Sequence, residues 1–155
     1  TPRYGYHLDS KRRGTRHFVV DVPLTSLNDW GALGGLVGKA TNSYWEVPVI
    51  SGLNQVPNSD EMKHFGAALA SFGSVAMFHI PGITPEASSL DRAFHGQIPS
   101  ESVKFESQDL KRFYAQYEAR GEKADVVVFA APGFGLRRKR GDPATRLFRL
   151  SCGAR

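Results

Sequence analysis

Short apolar runs alternate along this chain with longer segments whose apolar residues recur at helical spacing. The strand-like runs are residues 17–22, 47–50, 74–80 and 125–130. The last two are almost continuously apolar, which is typical of strands covered on both faces. Parallel strands need crossover connections, and the helical segments between the runs can supply them. The sequence therefore predicts an α/β fold with a mostly parallel sheet of about four or five strands and helices packed on it.

The helical segments carry their own start and stop signals. The clearest one begins after Asn58, has Glu61 three residues later as the second half of a capping box, and stops at Gly73. We expect its apolar stripe to pack on the sheet. That stripe consists of Met62, Phe65, Leu69 and Phe72.

Two further helices are predicted on either side of it. The first has Asn28 or Asp29 as its N-cap, and its glycines permit a close backbone approach, so we expect it to pack tightly on the sheet. The later helix has Ser107 as its N-cap and Gly121 as its stop. The apolar faces of these two helices are formed by Trp30, Leu33, Val37 and Ala40 in the first and by Leu110, Phe113, Tyr114 and Tyr117 in the later one.

The positive charge of the chain is confined to its last part. The chain has a net charge of +5 and a pI of about 9.6. Residues 133–155 contain seven of the 20 basic side chains and a single acid, Asp142. We therefore divide the chain into an α/β domain at 1–132 and a basic tail at 133–155. A basic patch can bind nucleic acid, but a charged terminus is more often simply solvated, so nucleic acid is not expected as a partner.

Cysteine and histidine usage argues against a metal site built by this chain. Cys152 is the one cysteine, which excludes an internal disulfide and a zinc site made of several cysteines. His64, His79 and His95 lack metal-ligand spacing, and we expect His79 to be a satisfied or surface histidine. No run of eighteen apolar residues exists, so no membrane partner is expected. Sparse cysteine suits a cytoplasmic protein.

Two polar segments could carry chemistry. The loop at 81–87 follows a predicted strand and offers the Thr84 hydroxyl and the Glu86 carboxylate, although a simple Pro-Gly turn with Thr84 capping a helix start fits it as well. The opening segment offers His7 as a proton carrier and Arg12 or Arg13 as a fork for a carboxylate or phosphate, and an exposed charged terminus fits that segment as well. These residues alone do not identify a reaction.

Three segments together resemble a known family. Residues 4–15 resemble its Tyr-Gly-x-His-Leu-Asp-Glu-Asn-Arg stretch, and residues 29–38 resemble its Gly-Ala-Leu-Gly helix. Residues 78–87 read Phe-His-Ile-Pro-Gly-Ile-Thr-Pro-Glu-Ala and resemble its Phe-His-x-x-Gly-x-Thr-Pro-Glu-Ala loop, which is the most specific match. The family is aconitase X, and the resemblance extends from about Tyr4 to Pro132, where this chain has Gly133 in place of the histidine of the family's Pro-His-x-Ser loop.

The resemblance implies a hydro-lyase. It implies dehydration of a small hydroxy acid such as a hydroxyproline or a phosphomevalonate, an iron or iron–sulfur centre, and a smaller swivelling subunit or domain as partner. The family's metal-binding cysteines have no match here, so we expect an internal fragment that binds no metal and is inactive in isolation. We assign His7 and Glu86 as catalytic candidates and Arg12 and Thr84 as substrate-binding candidates. The alternatives are a non-catalytic interaction subunit of the same fold and, less favoured, a nucleic-acid binder using the basic tail.

Overall fold

A computed structural model of the chain describes residues 12–117. The elements in chain order are β1 (Arg16–Asp21), α1 (Leu27–Thr41), β2 (Pro48–Ser51), α2 (Ser59–Gly73), α3 (Leu90–Ala93), β3 (Ser102–Glu106) and α4 (Ser107–Ala115). Several predictions fall outside the described residues: the strand at 125–130, the domain boundary after Pro132 and the basic tail. The later helix was predicted to stop at Gly121, but α4 ends at Ala115, because the N–H groups of Gln116 and Tyr117 donate to carbonyls three residues back and close a turn.

β1 is the central strand of a parallel sheet with the order β2-β1-β3. Phe18 of β1 is in register with Ile50 of β2 on one side and with Val103 of β3 on the other. The predicted α/β class with a parallel sheet is therefore confirmed, with three strands among the described residues. We did not predict β3. Its apolar pattern is short, since Val103 is exposed and Phe105 is buried.

The strand predicted at 74–80 is reduced to a single bridge. His79 pairs in parallel with Val49, through His79 N–H to the Pro48 carbonyl at 2.9 Å and Ile50 N–H to the His79 carbonyl at 2.8 Å. The physical reason is the pair of prolines beside this bridge. The next bonds of a parallel ladder would need the N–H of residue 48 or of residue 81, and Pro48 and Pro81 have none.

Both faces of the sheet are covered because successive side chains of a strand point to opposite faces. On one face, Phe18, Val20 and Ile50 pack with α1, α2 and α4 in the main core. On the other face, Val49 packs with a small apolar cluster formed by Ala87, Ala93 and Phe94. The second face of the sheet is therefore covered by α3 and by the segment that leads into it.

The glycines of α1 contact helices rather than the sheet. Their effect is the close approach that we expected, but against a different partner. A Cβ built on Gly34 would lie 2.4 Å from the Phe65 carbonyl oxygen, and one built on Gly73 would lie 2.2 Å from the Gly38 carbonyl oxygen. The backbones of α1 and α2 therefore meet directly, while Trp30 carries the apolar face of α1 into the core.

The helix caps follow the sequence closely but not fully. Asn58 Oδ1 accepts from Glu61 N–H at 3.0 Å while the Glu61 carboxylate accepts from Asn58 N–H at 2.7 Å, which confirms the predicted capping box of α2. The N-cap of α1 is Ser26 rather than Asn28 or Asp29, because Asp29 is the third helical residue and its carboxylate accepts from Ser26 N–H at 2.9 Å. The N-cap of α4 is Glu106, one residue before the predicted Ser107.

The stripe of α2 is only partly buried. Phe65 is fully buried, as expected, whereas 38% of Phe72 is exposed. The ring of Phe72 contacts the ring of Phe113 at 5.5 Å between centroids and lies 5.3 Å from the ammonium of Lys39. A cation beside aromatic rings stabilises this edge of the helical layer without excluding water from it.

We predict that Gly73→Ala lowers the free energy of unfolding by about 1–3 kcal/mol, because the added methyl group forces α1 and α2 apart. The matched control is Gly31→Ala, since a Cβ at Gly31 meets nothing within 4 Å. That control should raise the stability by about 0.5–1 kcal/mol through helix propensity alone. Urea unfolding monitored by circular dichroism measures both. A Gly73→Ala chain as stable as the unmodified chain would contradict the close helix contact.

A tyrosine–carboxylate hydrogen bond joins α4 to the start of α1. Tyr114 Oη donates to Asp29 Oδ1 at 2.7 Å. Partial burial, followed by this hydrogen bond, raises the pKa of Tyr114 to about 12. Partial burial acts to raise the pKa of Asp29, but hydrogen bonds from Tyr114, Thr25 and Ser26 outweigh it and leave that pKa lowered. Both shifts indicate that the neutral phenol and the ionised carboxylate form the stable pair.

We predict that the stability contributed by Tyr114 is lost in alkali. An unfolded tyrosine titrates at about pH 10, so this contribution is complete below that value and disappears as the pH rises towards the folded-state pKa of about 12. The difference in free energy of unfolding between the unmodified chain and Tyr114→Phe should therefore shrink across this interval. Tyr117→Phe is the control for general alkaline effects. A difference that stays constant with pH would exclude the hydrogen bond.

Candidate active-site cleft beside Arg12 and Glu86

The structure brings together two residues that the sequence assigned to the same site. Arg12 Nη1 donates to Glu86 Oε1, across 74 positions of the chain. The two side chains are 35% and 47% exposed, and ion pairs at such positions contribute less than about 1 kcal/mol to stability. This pair therefore adds little to the free energy of folding, but it presents a guanidinium and a carboxylate group to solvent.

Arg12 is positioned by the close passage of the chain over β2. Gly14 N–H donates to the Ala93 carbonyl at 2.8 Å, and a Cβ at Gly14 would lie 2.2 Å from Cγ2 of Val49. Thr15 N–H then donates to the Val47 carbonyl at 2.8 Å. Only a glycine fits between β2 and the end of α3, so this residue fixes where Arg12 emerges.

His79 supports the same segment from beneath. Its side chain is 2% exposed, and its Nε2 lies 2.5 Å from the Arg12 carbonyl oxygen. A carbonyl oxygen can only accept, so Nε2 carries the proton and donates. The expectation of a satisfied histidine is thus confirmed, and His79 acts as a positioning residue that links the sheet edge to Arg12.

Thr84 builds the loop that carries Glu86. Its hydroxyl accepts from Ile80 N–H at 3.1 Å and donates to the Ile80 carbonyl at 3.2 Å, while its own N–H donates to the same carbonyl at 2.9 Å. Thr84 therefore closes a turn. It does not cap a helix, because α3 starts at Leu90 with Ser89 as its N-cap. The hydroxyl lies outside the lining of the cleft described next.

A cleft of about 550 Å³ opens beside the Arg12–Glu86 pair. We call it the Arg12–Glu86 cleft. His79 and Pro85 line it together with that pair, and the opposite side is formed by Ser88, Asp91, Arg92 and His95, which we call the α3 side. Sequence reasoning missed the α3 side. The density of polar residues between the Glu86 loop and Gly96 was the only signal for it.

The described residues do not fit an iron centre by themselves. Residues 12–117 contain no cysteine, and among them no group of three or more His, Cys, Asp or Glu side chains could hold a metal ion. His7, the proposed proton carrier, precedes the described residues, and Cys152 follows them. No helix in the part of the chain that the structure describes is long and apolar enough to span a membrane.

We predict that His79 matters for stability and that Glu86 does not. His79→Ala leaves the Arg12 carbonyl without its partner and opens a cavity, so the free energy of unfolding should fall by at least about 1–3 kcal/mol. Glu86→Gln, its comparison variant in the same cleft, should change it by less than about 1 kcal/mol. Urea titration of both variants decides this. Equal losses would mean that the Arg12–Glu86 pair is a structural element.

Known proteins share both the sequence and the fold of this chain. The family model described as Aconitase X second domain matches residues 14–115. The phosphomevalonate dehydratase large subunit of Methanosarcina mazei is 34% identical over 132 residues, which are 85% of this chain and 30% of that protein. The cis-3-hydroxy-L-proline dehydratase of Pseudomonas aeruginosa is 36% identical over 137 residues, which are 86% of this chain and 23% of that protein.

A solved structure agrees with these matches. The crystal structure of Thermococcus kodakaraensis aconitase X in its holo-form has a TM-score of 0.60 and 29% identity to this chain, covering 77% of this chain and 29% of that one. The chain thus spans less than a third of the length of each of these relatives. From the matched family model, which covers most of the residues that the structure describes, the chain belongs to the aconitase X family.

Proposed function

We propose that this chain forms the second domain of an aconitase X-type hydro-lyase that dehydrates a small hydroxy acid. The observation that carries the proposal is the ion pair of Arg12 and Glu86 at one cleft. Glu86 lies on the loop that resembles the family motif. Its support comes from relatives named as dehydratases of phosphomevalonate and of cis-3-hydroxy-L-proline. Both named substrates carry a carboxylate and a hydroxyl group, so a cation and a base are the groups that such a site needs.

Arg12 is the proposed binding group for the substrate carboxylate or phosphate. A guanidinium presents parallel N–H donors that match the two oxygens of such an anion. Its fork is directed towards Glu86, and an entering anion would replace Glu86 as its partner. Since the pair is partly exposed, the exchange costs little free energy.

Glu86 is the proposed general base. Once the substrate anion occupies Arg12, the Glu86 carboxylate regains a free lone pair and can accept the proton from the carbon next to the leaving hydroxyl. A base must lie within hydrogen-bond reach of the proton that it removes, and Glu86 lies next to Arg12 in the same cleft, so a small acid held by Arg12 would lie beside it. Pro85 precedes Glu86 and stiffens the backbone that presents it.

Thr84 and His7 complete the proposal. The Thr84 hydroxyl bonds to Ile80 and lies outside the lining of the cleft, so Thr84 is proposed to act on substrate binding through the loop that carries Glu86. Its main contribution is the shape of the Glu86 loop. His7, which lies before the described residues, is proposed as a proton carrier on the strength of the family-like stretch in which it stands.

The isolated chain is proposed to be inactive. The residues that the structure describes do not supply ligands for the iron or iron–sulfur centre of the family, so no step is assigned to such a centre here. We propose that the remainder of the enzyme, including a smaller swivelling subunit or domain, provides the rest of the site. Several relatives are named as large subunits, which supports a partner of this kind. We also propose a cytoplasmic location, supported by the sparse cysteine content.

We predict that a chimera in which residues 12–117 replace the matching domain of the Pseudomonas aeruginosa relative dehydrates its substrate. In that chimera, Glu86→Gln should lower kcat by about 10²–10⁴-fold, because proton abstraction is lost. Arg12→Ala should raise KM. Steady-state kinetics measures both, and the isolated chain should show no turnover after anaerobic iron reconstitution.

The control for these variants is Asp60→Asn, which removes an exposed carboxylate from α2 and from its ion pair with Lys63. It should leave kcat and KM unchanged. An active chimera in which Glu86→Gln also leaves kcat unchanged would remove Glu86 from the mechanism. Turnover by the isolated chain that survives Cys152→Ser would overturn the proposed inactivity.

A further inference from the structure

A second arginine, next to Arg12 in the chain, is anchored outside the Arg12–Glu86 cleft. Arg13 Nη1 donates to Gln97 Oε1 across 84 positions of the chain, and the described lining of the cleft includes neither of these two residues. Because the donor is charged, such a bond is roughly twice as strong as one between neutral groups. The sequence left Arg12 and Arg13 as alternatives for the group that binds a carboxylate or phosphate, and this bond gives Arg13 a different task.

Gln97 is a fixed acceptor because the turn that carries it is tied to α3. Its backbone N–H donates to the Phe94 carbonyl at 3.0 Å, and Phe94 is fully buried in the small apolar cluster on the second face of the sheet. Gly96 N–H donates to the Asp91 carbonyl at 3.0 Å and closes the same turn. Gln97 itself is exposed, so its bond to Arg13 adds little to the stability of the fold.

The segment from which the Arg12 side chain leaves is held at three successive residues. The anchors are His79 for the Arg12 carbonyl, Gln97 for the Arg13 side chain and the Ala93 carbonyl for Gly14 N–H. The first and the last of these bonds hold the two peptide groups on either side of Arg13. The φ and ψ angles of Arg13 lie between those groups and are the soft angles of the backbone. The bond of the Arg13 side chain to Gln97 restricts them and so limits the directions that Arg12 can take.

We propose that Gln97 is a positioning residue for substrate binding, which acts through Arg13 on the direction of the Arg12 side chain. This rests on the proposed function, in which Arg12 binds the substrate anion. Without the Arg13–Gln97 bond, the backbone around Arg13 rotates more freely, and Arg12 faces Glu86 for a smaller fraction of the time. Gln97 lies outside the cleft lining, so its loss weakens the binding of the substrate and of the transition state equally. A loss of that kind raises KM and leaves kcat unchanged.

The first test is independent of activity and uses the 155-residue chain. NMR measures the hydrogen exchange of the Arg12 side-chain N–H groups, which Gln97→Ala should accelerate because Arg12 is held less firmly. Gln97→Glu should restore the slower exchange, since a carboxylate oxygen accepts from Arg13 as an amide oxygen does. The matched control is Gln108→Ala. It removes a bond of the same kind on α4, from Arg112 Nη2 to Gln108 Oε1 at 3.2 Å, and should leave the Arg12 signals unchanged.

The second test uses steady-state kinetics of the chimera. Gln97→Ala should raise KM by about three- to tenfold, the effect of losing one net hydrogen bond, and leave kcat and the melting temperature unchanged. Arg13→Gln should have the same effect. The double variant should match either single variant, because both substitutions remove one shared interaction. Gln97→Glu should keep KM close to that of the unmodified chimera, and Gln108→Ala should not alter it.

Unchanged exchange of the Arg12 side chain in Gln97→Ala would overturn the proposal, and so would additive effects of Gln97→Ala and Arg13→Gln on KM. A lower melting temperature and a lower kcat that Gln97→Glu does not restore would make Gln97 a structural residue instead. Faster Arg12 exchange in Gln97→Ala, combined with a chimera whose KM ignores Arg12→Ala, would keep the positioning and reject the proposed function of Arg12. The reverse pattern would keep that function and reject the positioning.

Discussion

The central position of β1 is the constraint on which the rest of the described structure depends. Its backbone pairs with β2 and β3 at once, so it fixes the sheet. Its side chains alternate between the two faces, with Phe18 in the main core and His17 against Phe94 on the other side, where the ring centroids lie 5.7 Å apart. One strand therefore positions both the helical layer and the layer that carries the cleft.

The cleft itself depends on one missing side chain. Gly14 lies just before β1 and passes between Val49 and the end of α3, where any Cβ would collide with Val49. The same passage delivers Arg12 to the loop that carries Glu86, and His79 fixes the Arg12 backbone from below. The same contacts therefore pack the second face of the sheet and position the residues of the proposed site.

The two sides of the cleft differ in whether their charged side chains pair with each other. Arg12 and Glu86 form an ion pair with each other. The side chains of Asp91 and Arg92 form no hydrogen bond or ion pair with the described residues. They lie on a short helix that the buried Ala93 and Phe94 hold in place.

Local signals were the part of the structure that the sequence determined by itself. The Asn58–Glu61 capping box follows from residues three positions apart, whose hydrogen bonds form locally. The burial of Phe65 was indicated by the apolar spacing of its helix. The motif at residues 78–87 was likewise sufficient to indicate the family. The strand predicted at 74–80 is reduced to a single bridge, because Pro48 and Pro81 lack the N–H groups that the next ladder bonds would need.

Only the tertiary structure decided the contacts between distant segments. The glycines of α1 were expected to meet the sheet and instead meet α2, since helix spacing does not state which partner lies opposite. Thr84 was assigned to substrate from its position, yet its hydroxyl mainly closes the turn at Ile80. Asp91 and Arg92 belong to no motif, and the density of polar residues around them was the only signal. These two residues line the same cleft as Arg12. The packing of the sheet and its loops brings them there, and no local pattern in the sequence encodes that packing.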